Sequence, residues 1–182
     1  TDQFVFVSNG NNDCISAIDS KQGKVVQNIF LKPLPHLARH RGVIPFGLAL
    51  SPDKKRLYVA ESGINAVAIV DISSLSSLSH SFDARQSSRR TDQATILGHL
   101  PVGWFPSKLA VSPDGKKLIV ANAKGYGSGP NGGYTFKEGP EGSYIGHLMH
   151  GSVTVLDIPS DSELPKWTQE VLDNNFQLRI SG

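Results

Sequence analysis

The feature that most restricts this chain is an internal repeat. The stretch Gly42 to Ala60 aligns without a gap on Gly103 to Ala121 at an offset of 61, and 11 of the 19 positions are identical. A shorter early copy runs from Phe6 to Asp19 and matches Tyr58 to Asp71 at an offset of 52. The third copy of that half resumes after an insertion, as Gly151, Ser152, Val153, Thr154, Val155, Leu156, Asp157 and Ile158. A chain that copies itself at such a period stacks one supersecondary unit on the next.

Each unit reads as four short strands. Leu48 to Ser51 is an apolar inner strand, Leu57 to Ala60 a second and Ala66 to Ile72 a third. Thr95, Ile96 and Leu97 are the expected fourth, with Lys24 to Leu31 and Thr168 to Leu172 as its counterparts. Between the first two strands lies a turn, Pro52-Asp53-Lys54-Lys55. Its copy, Pro113-Asp114-Gly115-Lys116, carries the glycine that such turns favour. The apolar spacing in these strands is two, which excludes amphipathic helices there. A β-sandwich also uses short strands, but nothing in it requires the same Ser-Pro-Asp turn to recur. The expected fold is therefore all-β: a partial β-propeller of about three consecutive four-stranded antiparallel blades, the first incomplete, with about eleven strands in all. The chain reads as a single propeller fragment over 1–182, with blade units at about 1–32, 42–100 and 103–175.

The repeat at Leu109-Ala110-Val111-Ser112-Pro113-Asp114-Gly115-Lys116, leading to Val120-Ala121-Asn122, resembles the YVTN-type β-propeller family, from about Phe4 to Ile158. A narrower likeness lies further on, in Gly103-Trp104-Phe105-Pro106, Asn122 to Gly125, Gly127 to Asn131, Tyr144 to Gly146, Gly151 to Val155 and Trp167 to Asn175. These signatures are similar to bacterial secreted proteins in which such a propeller precedes an alkaline-phosphatase-type phosphoesterase domain. The resemblance implies an extracytoplasmic location and a phosphoesterase domain beyond Gly182. The metal ligands and nucleophile of that domain have no counterpart in these 182 residues. A closed ring needs at least four blades, so the remaining blades, or a second copy of the chain, are the expected partners.

Charge and composition narrow the function. Eighteen Lys and Arg against 16 Asp and Glu give a net charge of +2, no footprint for nucleic acid. No apolar stretch is long enough to insert in a membrane. The single cysteine, Cys14, rules out an internal disulfide framework and reads as a small packed thiol. Thr1 opens almost directly onto a strand, so the ends are expected to reflect cloning or cleavage.

In a meandering blade, loops alternate between two ends of the sheet. One end collects the Ser-Pro-Asp turns and the polar insertion Ser73 to Ala94, whose Arg85, Arg89 and Arg90 read as a solvated loop. The other collects Pro33 to Pro45, His99 to Pro106 and Lys124 to His150. Composition-rich loops on a rigid scaffold are where binding usually resides. They bring His36, Arg39, His40, Arg41, Trp104, Phe105, Tyr126, Asn131, Tyr134, Tyr144, His147 and His150 to one rim, as candidates for contacting a ligand or partner. Trp104 and Phe105 have a plainer role open to them, as apolar anchors between blades, matching Val43 and Ile44.

Chemistry is harder to find. His147 and His150, or His36 and His40, lack the cysteine partners typical of structural zinc. The glycine-rich run from Lys124 to Gly133 has no P-loop ending, and no Gly-x-Ser-x-Gly elbow exists. Asn9, Glu61 and Asn122 share one repeat position and could meet at a channel mouth, but one carboxylate is thin charge for a hard cation. The expectation is no catalytic residue, metal or cofactor. It is a module that binds a ligand or partner, or scaffolds a neighbouring phosphoesterase domain. A hydrolase fragment lending rim residues, and a propeller enzyme with a channel metal, are the alternatives.

Overall fold

A computed structural model of the chain describes residues 3–33, 41–75, 93–125 and 150–176. Three antiparallel sheets follow one another along the sequence. The first holds β1 (Phe4–Asn9), β2 (Cys14–Asp19) and β3 (Lys24–Phe30). The second holds β4 (Pro45–Leu50), β5 (Arg56–Glu61), β6 (Ala66–Asp71) and β7 (Thr95–Pro101). The third holds β8 (Pro106–Val111), β9 (Lys117–Asn122) and β10 (Ser152–Asp157). Each sheet is a meander, neighbours in sequence being neighbours in space, and the arrangement is that of a partial β-propeller.

The repeat is reproduced down to individual bonds. In each Ser-Pro-Asp turn the serine hydroxyl donates to the aspartate, Ser51 to Asp53 at 2.6 Å and Ser112 to Asp114 at 2.5 Å. The same serine oxygen then accepts the amide that opens the next strand, from Arg56 at 2.9 Å and Lys117 at 2.8 Å. These hydroxyl bonds, with the Lys55 and Lys116 amides, hold both aspartates below the usual carboxylate range. One position of the turn needs a left-handed backbone. Gly115 fills it at φ 72°, whereas the equivalent Lys54 takes φ 60° despite its side chain.

Alternation along the strands gives each blade two apolar faces. We call the front the face that carries Asn9, Glu61 or Asn122. The front of the second blade (Leu57, Val59, Ala66, Ala68, Val70) packs on the back of the first (Phe4, Ile15, Ala17, Ile29), forming one core. The front of the third (Leu118, Val120) packs on the back of the second (Tyr58, Val67, Ile69, Leu100), forming another. Strands of the middle blade are covered on both sides, and β6 is buried from Ala66 to Val70. The two outermost faces expose Val5, Val7 and Phe30 at one end of the arc and Ile119, Val153 and Val155 at the other. Cys14 is buried and free, as its alternating position suggested.

One expected strand is a helix. Thr168 to Leu172, assigned by analogy to the fourth strand of the third blade, lies inside α1 (Leu164–Asn175). The described residues thus hold ten strands rather than eleven, and the third blade has three of them. Local chemistry explains the difference. Leu164, Trp167 and Val171 recur at helical spacing, and Pro165 sits in the first turn, where its missing amide hydrogen is not needed. Just before the helix, the Glu163 carboxylate accepts the Ser160 amide at 2.9 Å and its hydroxyl at 2.7 Å.

The helix lies along the outer strand of the middle blade. Leu164 and Trp167 enter the second core, while Val171 and Phe176 enter the first. Gly98 makes the approach possible, because a Cβ there would stand 2.8 Å from Thr168 Oγ1 and 3.0 Å from Leu164 Cβ. Thr168 Oγ1 accepts the backbone amide of His99 at 2.9 Å, and the Asn175 side chain donates to the Ile64 carbonyl at 2.8 Å. Covering an edge strand in this way removes a template for aggregation. Thr168→Val keeps the shape but leaves the His99 amide without its acceptor. A loss of about 1–3 kcal/mol in urea unfolding, with faster hydrogen exchange at the His99 amide, is expected.

Candidate functional site

Two devices join the blades at the rim, and both follow the repeat. Asp13 and Asn65 occupy one repeat position, at the turn before the third strand, and both take a left-handed backbone with φ of 51° and 54°. Asp13 Oδ1 accepts the Ile44 amide at 2.9 Å, and Asn65 Oδ1 accepts the Phe105 amide at 2.9 Å. Ile44 and Phe105 are themselves equivalent residues of the linker to the next blade, with φ of 52° and 56°. Each junction is therefore a latch: a side chain from one blade fixes the strained corner of the chain entering the next. Backbone bonds complete it, from Val102 to the Asn65 carbonyl and from Leu31 to that of Asp13.

The first latch is charged. Asp13 Oδ2 accepts the Gly42 amide at 2.9 Å and the Lys32 ammonium at 2.9 Å, with the carboxylate fully buried. Burial pushes this acid up, but the Ile44 and Gly42 amides and Lys32 outweigh it, so its pKa lies below the usual value.

A polar layer crosses the front of each blade. In the first, Asn9 Nδ2 donates to Ser16 Oγ at 2.8 Å, and Ser16 passes a bond to Asn28 Oδ1 at 2.7 Å. In the third, Asn122 Nδ2 donates to Thr154 Oγ1 at 2.9 Å and Ser152 Oγ at 3.2 Å. In the second, Ala68 stands where Ser16 and Thr154 stand, and Glu61 reaches past it to His99, Oε2 to Nδ1 at 2.7 Å. Side-chain exposures of 0 % and 3 % make this a fully desolvated pair. Burial works against the imidazolium, but the Glu61 charge and hydrogen bond outweigh it and raise the His99 pKa above its ordinary value. Glu61 Oε1 and Asn122 Oδ1 are buried without a partner among the described residues.

Asn9, Glu61 and Asn122, which share one repeat position, take equivalent places in the three blades. Their side chains bond outward along their own blades, and Glu61 and Asn122 are sealed between blades. No three His, Cys, Asp or Glu side chains gather into a metal-holding group among the described residues.

Of the expected rim residues, Arg41, Trp104, Phe105 and His150 are described; His36, Arg39, His40, Tyr126, Asn131, Tyr134, Tyr144 and His147 lie outside the described residues. Trp104 is 50 % exposed, so it does not plug the gap between blades; its counterpart Val43 is buried and does. Phe105 carries the Lys124 ammonium over its ring, 5.1 Å from the centroid. His150 is exposed at the start of the third-blade segment. Arg41 is exposed and donates to the Asn11 carbonyl at 3.0 Å. It lines a groove of about 240 Å³ together with Lys32, Gly63, Asn175 and Phe176, at the junction of the first two blades. Lys32, Asn175 and the His99–Glu61 pair were not singled out from the sequence. Asp13 and Asn65 were visible in the repeat alignment as matched residues able to adopt the left-handed region.

No family model matches the chain. Hydrazine synthase subunit beta of Kuenenia stuttgartiensis is 29% identical over 113 residues, which is 59% of this chain and 28% of that protein. In solved structures, Kuenenia stuttgartiensis hydrazine synthase superposes with a TM-score of 0.50 at 23% identity, over 84% of this chain and 38% of that one. A periplasmic gluconolactonase of Pseudomonas aeruginosa gives a TM-score of 0.50 at 21% identity, over 68% and 30%. At these identities the likeness is one of fold. The chain has the fold of a partial β-propeller and spans less than two-fifths of the length of the proteins it matches.

Proposed function

We propose that these blades are a non-catalytic scaffold that binds through its rim, and that the groove at the first blade junction receives an anionic group, a carboxylate or a phosphate. The observation that carries this reading is the pairing of Arg41 and Lys32 along a groove whose far wall is Phe176. Among the described residues, Asp13 beside the groove is already bound to Lys32 and two amides, and the exposed Arg41 guanidinium, which gives one donor to the Asn11 carbonyl, has further donors for a ligand. An arginine offers a planar fork suited to carboxylate or phosphate oxygens. Supporting the scaffold role, the buried polar side chains Asp13, Glu61, His99 and Asn122 all hold blades together or cross a single blade.

The test is a titration of the chain with inorganic phosphate and with citrate, followed by NMR. Saturable shifts at the Arg41, Gly42 and Gly63 amides are expected, and Arg41→Glu should abolish them. Shifts that stay linear with concentration, or that persist in Arg41→Glu, refute the groove as an anion site.

The finer parts of the reading rest on the signature residues from Gly103 to Asn175. They support an adjacent phosphoesterase domain and an extracytoplasmic location. The half-exposed Trp104 favours a second reading, in which the rim forms part of a hydrolase active site. Trp104→Ala in the full-length protein should then lower kcat/KM about tenfold or more with no change in Tm, as for loss of a positioning contact. Unaltered kinetics would leave the scaffold reading alone.

A further inference from the structure

The third blade is one strand short among the described residues, because the segment expected to supply its fourth strand forms α1 on the middle blade instead. β10 pairs with β9, and no described strand covers its other side. Such an edge offers a row of backbone donors and acceptors. Beside it lies a cleft of about 460 Å³, walled by Leu100, Thr154, Leu156 and Trp167. These residues come from the back of the second blade, the front of β10 and the helix. The cleft thus lies where side chains on the front of a fourth strand would point.

The two complete examples in the molecule show what fits. β3 and β7 are both seven residues long, and each pairs with its neighbour in the same register, with a bulge at the same repeat position. Opposite Ser16 stands Asn28, and opposite Ala68 stands His99. In the first blade the bond order is Asn9 to Ser16 to Asn28. In the third the order begins identically, Asn122 to Thr154, and stops with the Thr154 hydroxyl. That oxygen already accepts from Asn122, so its hydrogen is available for an acceptor on the incoming strand. At the other end of the strand, Asp19 stands opposite Lys24 and Asp71 opposite Thr95, while the equivalent Asp157 is exposed and bonds the Lys117 ammonium at 2.7 Å.

From this we propose that the outer edge of β10 is a strand-acceptor site. Its occupant is a seven-residue extended segment of a longer polypeptide, from a repeat outside these 182 residues. It carries a side-chain acceptor such as Asn opposite Thr154 and, as in both complete pairs, an apolar residue opposite Val153. Three blades do not close a ring, and the chain spans 28% to 38% of the proteins it matches, which favours a neighbouring repeat as the source. Backbone pairing supplies affinity in strand addition, and the alternate side chains supply register. This inference is independent of the Arg41 groove.

The probe is a peptide with the sequence of β3, Lys24 to Phe30, added to the full chain. Expected are saturable binding, a change in Trp167 fluorescence, and hydrogen-exchange protection of alternate amides within 152–157. Replacing the peptide residue that corresponds to Asn28 by Leu should weaken binding about tenfold, the value of one well-placed hydrogen bond. Thr154→Val should erase that difference between peptides, and Thr154→Ser should preserve it. A peptide with Pro at the central position should not bind. The proposal is overturned by three results: no saturable binding at millimolar peptide, binding without protection of 152–157, or a peptide preference that Thr154→Val leaves intact. Concentration-dependent protection of 152–157 without peptide would name a second copy as the occupant and overturn the assignment to a neighbouring repeat.

Discussion

Glu61→Ala should lower folding stability by about 3–5 kcal/mol, the usual consequence of removing one member of a desolvated ion pair. The reason is the His99 ring, which sits at 2 % exposure against an apolar blade face and loses the acceptor 2.7 Å from its Nδ1. Across that face the first blade packs Phe4, Ile15, Ala17, Ile29 and Leu31 into the shared core, and none of them offers a hydrogen bond in exchange. Replacing both partners by apolar residues should recover most of the loss, since neither then remains as an unpaired polar group. Urea unfolding of the two single variants and the double variant, arranged as a cycle, measures the coupling directly. A coupling below about 0.5 kcal/mol, the scatter expected of independent sites, would contradict a desolvated pair.

Asp13→Ala is the second large effect. It removes the acceptor for two partly buried amide bonds, from Gly42 and Ile44, and for Lys32 at once. At about 1–3 kcal/mol for each donor left unsatisfied, a total of about 3 kcal/mol or more is expected. Asp13→Asn keeps one acceptor oxygen and should lose less, because the Asn65 junction functions with an amide. The two groups also bound the pH range of stability from opposite sides. Asp13 titrates lower in the folded chain than unfolded, so its contribution is present above about pH 3.9 and is lost as pH falls through the folded value. His99 titrates higher when folded, so its contribution is complete below about pH 6.5 and is lost as pH rises through the folded value. Denaturation midpoints measured across pH should form a plateau between these limits. Asp13→Asn should flatten the acid limb, and Glu61→Ala should flatten the alkaline one.

The parts of the fold that the sequence made legible are those the repeat touches twice. Leu48 to Val59 and Leu109 to Val120 specified inner strand, turn and second strand, because the same Ser-Pro-Asp chemistry had to serve both. Fourth strands are not aligned by the repeat: Lys24 to Leu31 and Thr95 to Leu97 share little beyond β-branched content. Analogy alone therefore assigned a strand to Thr168 to Leu172. The helical spacing of Leu164, Trp167 and Val171 is present in the sequence, and with Pro165 in the first turn it prevails over the repeat analogy. The His99–Glu61 pair is not legible in the sequence either, since the partners are 38 residues apart and only Glu61 belongs to the repeated half. The rim residues Arg41 and Trp104 were legible as loop chemistry; the groove that Arg41 lines was not, because Asn175 and Phe176 reach it only through the helix.

That helix also fixes an order of events. Stacked repeats are ordinarily additive, each unit gaining stability from its neighbours as it is made. Here the middle blade has its outer strand by Pro101, yet the bond from Asn175 to Ile64 spans 111 residues, and both cores wait for Leu164 to Phe176. During synthesis the first two blades therefore emerge with the backbone of Gly98 and His99 uncovered, and they stay so until residues 164–176 leave the ribosome. Closing so long a loop is slow compared with local hairpin formation. A nascent chain halted before residue 164 should accordingly display an open, adhesive sheet edge, and the segment from Leu164 to Phe176 ties both cores into one cooperative body.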